Sequence, residues 1–358
     1  MKKKKKIMIS FGTRPEIIKL APIINALKRK KINFLLVHSG QHYSVNMSKI
    51  FIKDFKIKKI HYNLKFGKNK KSKQFINSFS KKFRNILLKE KPDNLIVQGD
   101  TNTCLVSAYV ANEMNNENNF YTKIIHVEAG LRSYDLNMPE ETNRIIVDHI
   151  SDILFPPTNI QKKILIKEGI KKPIHVVGST IADNLKGKKF DNLKKDFFLL
   201  TIHRFENVTI KSRLSKILNI MKKISKKFNK KVIFPCHPNT QNKIKSYNLF
   251  VDDNIKIINP IDYGKFLLYL KNCSVVFSDS GGIQEEACIL KKHLVTFRNS
   301  TERPETININ ANFLSMLNEK KILKRLKKIS LNKIHWENHP YGNNVSNKIV
   351  NIIMKDES

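Results

Sequence analysis

Residues 275–286 read VVFSDSGGIQEE, and this stretch decides the fold. Its first part, Val275–Ser278, is typical of a buried strand, and a helical pattern follows the glycine pair. The two glycines let the backbone approach a ligand closely, and the N–H groups at the start of a helix favour an anion such as a diphosphate. An ordinary helix cap formed by Asp279 or Ser280 is the alternative interpretation. In both cases the stretch predicts the strand–turn–helix unit of an α/β protein.

Similar units recur along the 358 residues, which are enough for two domains. Short β-branched runs alternate with longer amphipathic stretches, and this alternation predicts parallel sheets with crossover helices. The predicted strands are Lys6–Phe11, Asn33–His38, Asn94–Gln98, Lys123–His126, Ile153–Phe155 and His175–Val177, followed by Phe198–Ile202, Lys231–Pro235, Ile255–Ile258, Val275–Ser278 and His293–Phe297.

The sequence therefore predicts two Rossmann-like, doubly wound parallel-sheet domains of the α/β class that face a cleft. We expect the first domain in residues 1–178 and the second in residues 179–342, with a hinge near Gly178–Asp183. A C-terminal helix within residues 343–358 is expected to pack back on the first domain.

Composition limits the functions that the chain can have. A formal net charge of +37 raises the alternative of nucleic-acid binding. The lysines are spread over many segments, so we interpret them as solvated surface whose overall field attracts anionic substrates. No stretch approaches the roughly 20 apolar residues of a membrane span, and no apolar signal segment follows Met1–Lys6. Four separated cysteines fit small core residues in a reducing compartment. We expect a cytoplasmic protein that binds neither membrane nor nucleic acid.

Polar residues follow directly on six of the predicted strands. In open α/β sheets, ligands bind beyond the carboxyl ends of the strands, so these residues predict a ligand site. The segments are Gly12–Lys19, Gly99–Thr103, Glu128–Arg132, His203–Asn207, His237–Asn239 and Asp279–Glu286.

Three acidic residues are candidates for acid–base chemistry. Asp100 and Glu128 each follow a predicted strand, and Glu140 begins a helical segment. Carboxylates that share a partly dry cleft have raised and separated pKa values, so one can act as an acid while another acts as a base. The alternatives are a helix-cap role for Asp100 and a surface ion pair with Arg144 for Glu140.

Basic residues at the strand ends are candidates for anion binding. Arg14 and Lys19 follow the first strand, and an ordinary surface position is the alternative for Lys19. Arg303 follows a strand of the second domain. His203 beside Arg204 indicates a contact with a leaving group, whereas a lone histidine such as His237 is often a structural hydrogen bonder.

The spacing of potential ligands predicts neither a metal nor a redox cofactor. No Cys or His residues accompany His126 and Glu128 at a spacing that suits zinc. No Gly-x-Gly-x-x-Gly pattern follows a strand, which argues against a nicotinamide cofactor.

Taken in order, these segments resemble the non-hydrolysing UDP-N-acetylglucosamine (UDP-GlcNAc) 2-epimerase family over nearly the whole chain. The matching segments are Phe11–Lys19, Ser39–His42, Gly99–Thr103, His126–Arg132, Pro139–Arg144, His203–Asn207, Asp279–Ala287 and Thr301–Glu305. The resemblance implies a GT-B architecture, a homodimer, no cofactor, and reversible conversion of UDP-GlcNAc into UDP-N-acetylmannosamine (UDP-ManNAc). The implied reaction eliminates UDP to a 2-acetamidoglucal and adds it back.

The resemblance also implies roles for individual residues. As a set, the acid–base and charge-stabilising residues correspond to Asp100, Glu128, Glu140 and His203. The nucleotide contacts correspond to Arg14, Lys19, Ser280, Gly281, Gly282, Glu286 and Arg303, with Phe266 near the uracil. Arg204 and His237 are further predicted substrate contacts because of their positions at strand ends, and not because of the resemblance.

Two departures from the family pattern leave alternatives open. The loop Ser133–Met138 is shorter than in bacterial members, and Gln41–Ser44 differs from their usual residues. The resemblance therefore does not carry over the regulatory UDP-GlcNAc site of some members. Features such as Gln41–Tyr43 and Asn46–Ser48 are shared with a sister branch that epimerises UDP-2,3-diacetamido-glucuronic acid. A hydrolysing relative and a GT-B glycosyltransferase are the other enzymatic alternatives.

Overall fold

The computed structural model describes residues 5–41, 57, 59–65, 72–117, 120–193, 196–329 and 336–356. The chain forms two compact units. Unit 1 comprises Met1–Lys186 and Tyr341–Ser358, and unit 2 comprises Gly187–Pro340. Each unit is built around one parallel sheet.

The sheet of unit 1 has six parallel strands in the order β3-β2-β1-β4-β5-β6. The strands are β1 (Ile7–Phe11), β2 (Phe34–His38), β3 (Tyr62–Asn63), β4 (Asn94–Gln98), β5 (Lys123–Val127) and β6 (Ile153–Phe155). The helices are α1 (Arg14–Arg29), α2 (Ser72–Glu90), α3 (Asn102–Glu117), α4 (Pro139–Ile150), α5 (Asn159–Lys167) and α6 (Thr180–Leu185).

The centre of this sheet is apolar on both faces. Every residue of β1 and β4 is buried, as expected for central strands covered by helices on each side. The rings of Phe79 and Phe83 in α2 lie tilted to each other, with their centroids 5.3 Å apart, and belong to the apolar core on one face of the sheet.

The sheet of unit 2 also has six parallel strands, in the order β12-β11-β10-β7-β8-β9. The strands are β7 (Phe197–Thr201), β8 (Lys231–Pro235), β9 (Ile255–Ile258), β10 (Val275–Ser278), β11 (Leu294–Thr296) and β12 (Asn312–Leu314). The helices are α7 (Phe205–Thr209), α8 (Lys211–Phe228), α9 (Pro238–Ser246), α10 (Tyr263–Asn272), α11 (Gly281–Ile289), α12 (Pro304–Asn308) and α13 (Glu319–Lys328).

Both strand orders are those of the doubly wound Rossmann fold, in which the order reverses at a switch point. The switch point lies between β1 and β4 in unit 1 and between β7 and β10 in unit 2. The predicted fold class, α/β with two Rossmann-like doubly wound sheets, is confirmed.

One predicted strand, His175–Val177, is wrong. Only Ile174 forms a bridge, with Leu154 of β6. Backbone hydrogen bonds from His175 to Leu154 (2.9 Å) and from Val177 to Pro156 (3.3 Å) follow, and Gly178 then adopts a φ of +104°. Two short strands, β3 and β12, were not predicted.

The end of the chain returns to unit 1 as helix α14 (Val345–Lys355). This helix packs on α1 and α6, and the carboxylate of Asp183 in α6 accepts hydrogen bonds from the backbone N–H groups of Val345 (3.0 Å) and Ser346 (2.7 Å). Unit 1 consequently extends beyond residue 178, the boundary expected from the sequence, to include α6. None of the helices in the described part of the chain is long and apolar enough to cross a membrane.

Candidate functional site

Several of the predicted functional residues lie at the switch points. In unit 1, Gly12 follows β1 and Gly99 follows β4, and in unit 2, His203 and Asp279 follow β7 and β10. Crevices at such points are the usual ligand sites of doubly wound sheets. Each unit, taken by itself, therefore has a candidate ligand-binding crevice.

Glu128 has a strained backbone conformation at the end of β5. It is not a glycine, yet its φ is +72°, a left-handed conformation that costs free energy and that proteins concentrate at functional sites. Its Oε2 accepts hydrogen bonds from Lys19 and from Gln98 Nε2, the latter at 2.9 Å. Lys19 is only 5% exposed, so the surface alternative for this lysine is wrong. A buried ion pair thus fixes Glu128 at the end of β5.

Asp100 lies one residue beyond Gly99 and is partly exposed. Its Oδ2 accepts a hydrogen bond from Arg144 Nη2 at 2.6 Å, and Asn143 Nδ2 donates to its backbone oxygen at 2.9 Å. Arg144 also lies 3.1 Å from Glu141 Oε2. Helix α4 thereby holds Asp100 in place through two consecutive side chains.

Glu140 and Glu141 differ in their environments although they are neighbours in the first turn of α4. Glu140 is exposed to solvent. Glu141 is buried and accepts hydrogen bonds from the backbone of Ser133 and Tyr134 at 2.9–3.0 Å, which fixes the start of the short loop before α4. Glu140 therefore remains the member of the pair that a ligand can reach.

Glu16 is a buried residue of the site that was not singled out from the sequence. Its Oε2 accepts from Gly12 N (3.0 Å) and from Thr13 N and Oγ1 (both 2.8 Å), and its Oε1 accepts from Thr101 Oγ1 (2.8 Å). Burial raises the pKa of Glu16 to about 7, although these hydrogen bonds lower it. The carboxylate joins the turn after β1 to the turn after β4. The Thr13-x-x-Glu16 capping-box pattern was the available signal.

Other predicted residues of unit 1 lie beside this network. Arg14 is partly buried at the start of α1. Gln41 Oε1 accepts from the backbone N–H and the hydroxyl of Thr103 at 2.9 and 2.8 Å. Residues 42–44 belong to the departure at Gln41–Ser44, and residues 42–43 and 46–48 belong to the features shared with the sister branch. All of these residues lie outside the described part of the chain.

In unit 2, the buried carboxylate of Asp279 orients His203. Asp279 Oδ1 lies 2.9 Å from His203 Nδ1, and the carboxylate also accepts from the backbone N–H groups of His203 and Arg204 and from Asn207 Nδ2. Burial raises the pKa of Asp279, but His203 and these hydrogen bonds outweigh burial and leave the pKa below its ordinary value. The His203 side chain is 54% exposed, so its ring is accessible from solvent.

The start of α11 at the glycine pair has the predicted form. Ser280 is the N-cap of α11, and Gly281 and Gly282 are its first residues. A Cβ at Gly281 would lie 2.3 Å from Glu302 Oε1, whereas a Cβ at Gly282 would meet nothing within 4 Å. The backbone at Gly282 is therefore open to an approaching anion.

Tyr263 connects α10 to α11, because its hydroxyl bonds to the predicted site residue Glu286. Glu286 is buried, and its Oε1 accepts a hydrogen bond from the Tyr263 hydroxyl at 2.8 Å. Phe266 is 9% exposed and lies one helical turn after Tyr263.

The remaining basic candidates occupy three environments. Arg303 is 2% exposed, with Nη2 3.4 Å from Glu285 Oε2. Arg204 is less buried, and its Nε donates to the backbone oxygen of Asp279 at 3.0 Å. His237 caps α9, where its Nδ1 accepts from Asn239 N at 3.2 Å. Within the described ranges, no group of three or more His, Cys, Asp or Glu residues is arranged to hold a metal ion.

Comparisons with known proteins point to one group of enzymes. Residues 25–354 match the family model described as UDP-N-acetylglucosamine 2-epimerase. Proteins of that name from Methanocaldococcus jannaschii and Methanococcus maripaludis are each 44% identical to the chain, covering 97% and 98% of it and 98% and 99% of their own lengths. A UDP-2,3-diacetamido-2,3-dideoxy-D-glucuronate 2-epimerase from Pseudomonas aeruginosa is 33% identical over 86% of the chain and 88% of its own length.

A solved structure agrees with the sequence matches. The M. jannaschii UDP-GlcNAc 2-epimerase, in complex with UDP-GlcNAc and UDP, superposes with a TM-score of 0.89 at 44% identity. The match covers 98% of this chain and 99% of that one.

Proposed function

The chain belongs to the UDP-N-acetylglucosamine 2-epimerase family, and on this premise we propose that it interconverts UDP-GlcNAc and UDP-ManNAc. The observation that carries the proposal is Glu128 at the end of β5 in unit 1. Its backbone is strained, and its carboxylate accepts hydrogen bonds from Lys19 and Gln98. Asp100 follows the neighbouring strand, so two carboxylates end adjacent strands of one sheet.

The proposed chemistry needs a base and a site for the leaving group, because C2–H of the sugar is not next to a carbonyl and is hardly acidic. One carboxylate of the set Asp100, Glu128 and Glu140 takes the C2 proton. The C2–H electron pair forms the C1=C2 double bond as the C1–O bond breaks, and UDP leaves with that bond's electrons. On the return, a proton is delivered to the opposite face of C2 and a UDP oxygen adds to C1. Both steps balance without an oxidant, a metal or a hydride donor.

The leaving UDP is the part of the substrate that unit 2 is suited to bind. The N–H groups at Ser280–Gly282 and the dipole of α11 favour the diphosphate. His203, oriented by Asp279, is the proposed contact that stabilises or protonates the departing oxygen. Arg14, Lys19, Arg204, His237, Phe266, Glu286 and Arg303 remain proposed substrate contacts.

The reaction is tested by incubating the chain with UDP-GlcNAc in D2O and following C2 by NMR. We expect UDP-ManNAc and deuterium at C2 of both sugars. Free ManNAc with UDP would instead indicate a hydrolysing enzyme, and UDP release that requires an added acceptor would indicate a glycosyltransferase. Turnover of UDP-2,3-diacetamido-glucuronic acid in preference to UDP-GlcNAc would move the substrate to the sister branch.

The Glu128→Gln variant tests the role of Glu128, because glutamine keeps the shape of the side chain and removes the carboxylate. We expect the rate of C2 deuteration to fall by about 1,000-fold, as for loss of a general acid–base group. UDP binding, measured by calorimetry, should be retained. Unchanged deuteration in this variant would contradict the proposed role of Glu128.

We also propose that the chain acts as a homodimer in the cytoplasm. The dimer is the family expectation. The four cysteines are buried as free thiols, which fits a reducing compartment. Light scattering coupled to size exclusion tests the dimer, and a mass near that of one 41.6 kDa chain would contradict it.

A further inference from the structure

A fully buried histidine lies directly behind the strand ends of unit 1. His126 is the fourth residue of β5, two residues before Glu128, and its side chain is 0% exposed. Its Nδ1 lies 2.7 Å from Asp148 Oδ1, and its Nε2 lies 2.9 Å from the backbone oxygen of Gly99. Both ring nitrogens are therefore within hydrogen-bond distance of an oxygen.

Neither Asp148 Oδ1 nor the backbone oxygen of Gly99 is suited to act as the hydrogen-bond donor to His126. A carbonyl oxygen such as that of Gly99 only accepts, so the Nε2 of His126 carries a hydrogen. Asp148 could donate only if it were protonated, but its Oδ2 accepts from Arg132 Nη1 at 2.7 Å and its two oxygens accept from Gly130 N at 3.1 and 3.2 Å. An ionised Asp148 requires a hydrogen on Nδ1 as well.

The surrounding charges agree with a doubly protonated ring. Burial raises the pKa of Asp148, but His126 and Arg132 outweigh it and hold the pKa below its ordinary value. Arg132 also pairs with Glu168 through two hydrogen bonds of 2.8 and 2.5 Å. With a cationic His126, the cluster contains two positive and two negative groups. The nearby Cys104 is held as a neutral thiol, because burial raises its pKa well above the ordinary value.

We propose that His126 is an imidazolium ion, with a hydrogen on both ring nitrogens, in the folded chain and that it positions the Asp100 turn for the reaction. The second part of this inference rests on the proposed function, whereas the first part does not. His126 is a positioning residue, since it is buried and acts through the peptide of Gly99.

The Gly99 peptide is held from several sides. Its N–H donates to the backbone oxygen of Val127 at 3.1 Å, and its oxygen accepts from His126 and from Cys104 Sγ at 3.3 Å. Gly99 itself has a φ of +72°. The next residue is Asp100, so the imidazolium ties the end of β4 to the end of β5, where the two candidate carboxylates lie.

Neutron diffraction of the perdeuterated full chain tests the protonation directly. We expect deuterons on both Nδ1 and Nε2 of His126 in crystals grown near pH 8. His38 provides the comparison within the same map, because it is 2% exposed and burial lowers its pKa, so its ring should carry one deuteron. A single deuteron on His126, or a deuteron located on Asp148, would overturn the inference.

Solution NMR of chain labelled with ¹⁵N-histidine gives a second measurement. Both His126 ring nitrogens should have protonated shifts near pH 8, the pH of the crystals, and the signal is assigned by its loss in His126→Gln. A neutral ring in the folded chain at this pH contradicts the proposal.

The positioning role has its own readout. In His126→Gln, kcat for C2 deuteration should fall about 100-fold while the Kd for UDP changes by less than about twofold, because a small misplacement of a catalytic group affects chemistry more than binding. Equal activity in the variant would remove the positioning role. If wild-type chain does not epimerise UDP-GlcNAc, the proposed function fails and the neutron result stands. If it epimerises and His126 is neutral, only this inference fails.

Discussion

The Glu16→Gln substitution should remove a pH dependence from the stability of unit 1. Burial raises the pKa of Glu16 from its ordinary 4.5 to about 7 in the folded chain. A carboxyl group with a raised folded-state pKa holds its proton more tightly in the folded state than in the unfolded state. The tighter proton binding of Glu16 contributes fully to the free energy of unfolding below about pH 4.5, and this contribution is lost as the pH rises through about 7.

The size of this effect follows from the pKa difference. A rise from 4.5 to about 7 corresponds to about 3 kcal/mol of unfolding free energy, at about 1.4 kcal/mol for each pKa unit. Glutamine should mimic the protonated acid closely. Its oxygen can accept from Gly12 and Thr13, and its NH₂ group can donate to the hydroxyl of Thr101, which replaces the present bonds with bonds of similar geometry. Relative to wild type, the variant should therefore gain about 3 kcal/mol between pH 4.5 and pH 8.

The assay must follow unit 1 separately. The single tryptophan, Trp336, belongs to unit 2, so its fluorescence reports the unfolding of that unit. We propose urea titrations read by peptide-resolved hydrogen exchange, comparing wild type and variant at the same pH so that intrinsic exchange rates cancel. The midpoint for peptides of β1 and α1 should shift with pH, while the Trp336 transition should not. A stability difference between the two proteins that is constant from pH 4.5 to pH 8 would refute the reasoning.

Three further substitutions test other parts of the chain. Gly178→Ala should destabilise unit 1 by about 4 kcal/mol, since it combines strain at positive φ with a Cβ 2.2 Å from the Tyr341 oxygen. Gly169→Ala, with φ +81° and no atom within 4 Å, should cost about 1 kcal/mol in the same urea titration, and equal costs would contradict the steric argument. Asp279→Asn should lower kcat by at least about 100-fold, because His203 loses the partner that sets its tautomer and orientation. A pH–rate profile checks this, and unchanged kcat would show that His203 does not depend on Asp279.

The central strands could be predicted from the sequence because burial on both faces requires continuous apolar runs. Asn94–Gln98 and Val275–Ser278 have the predicted bounds, and the glycine pair after the second of them begins a helix as expected. Tyr62–Asn63 and Asn312–Leu314 were missed, since strands of two or three residues at a sheet edge leave no periodic pattern. His175–Val177 has strand-like residues and donates two backbone hydrogen bonds to the sheet edge, but the only bridge in this described segment joins Ile174 to Leu154.

The candidate site shows the same division between local and long-range information. The position of Glu128 at a strand end follows from the sequence. Its pairing with Lys19 does not, because these residues are 109 positions apart and only the sheet order brings them together. For the same reason, the hydrogen bond from Thr101 to Glu16 and the bond from the backbone N–H of His203 to Asp279 could not be predicted. Patterns within one turn are visible in a sequence, whereas contacts between strand ends require the topology.

The return of α14 to unit 1 has a consequence for synthesis of the chain. A ribosome completes all of Gly187–Pro340 before it begins the segment that finishes unit 1. Until Val345 and Ser346 leave the ribosome, the Asp183 carboxylate lacks the backbone N–H groups from which it accepts hydrogen bonds. Helix α1 likewise lacks its packing against α14. Unit 2 can therefore fold first although it comes second, and a message truncated near its end should yield a chain in which the unit made earliest is the one left incomplete.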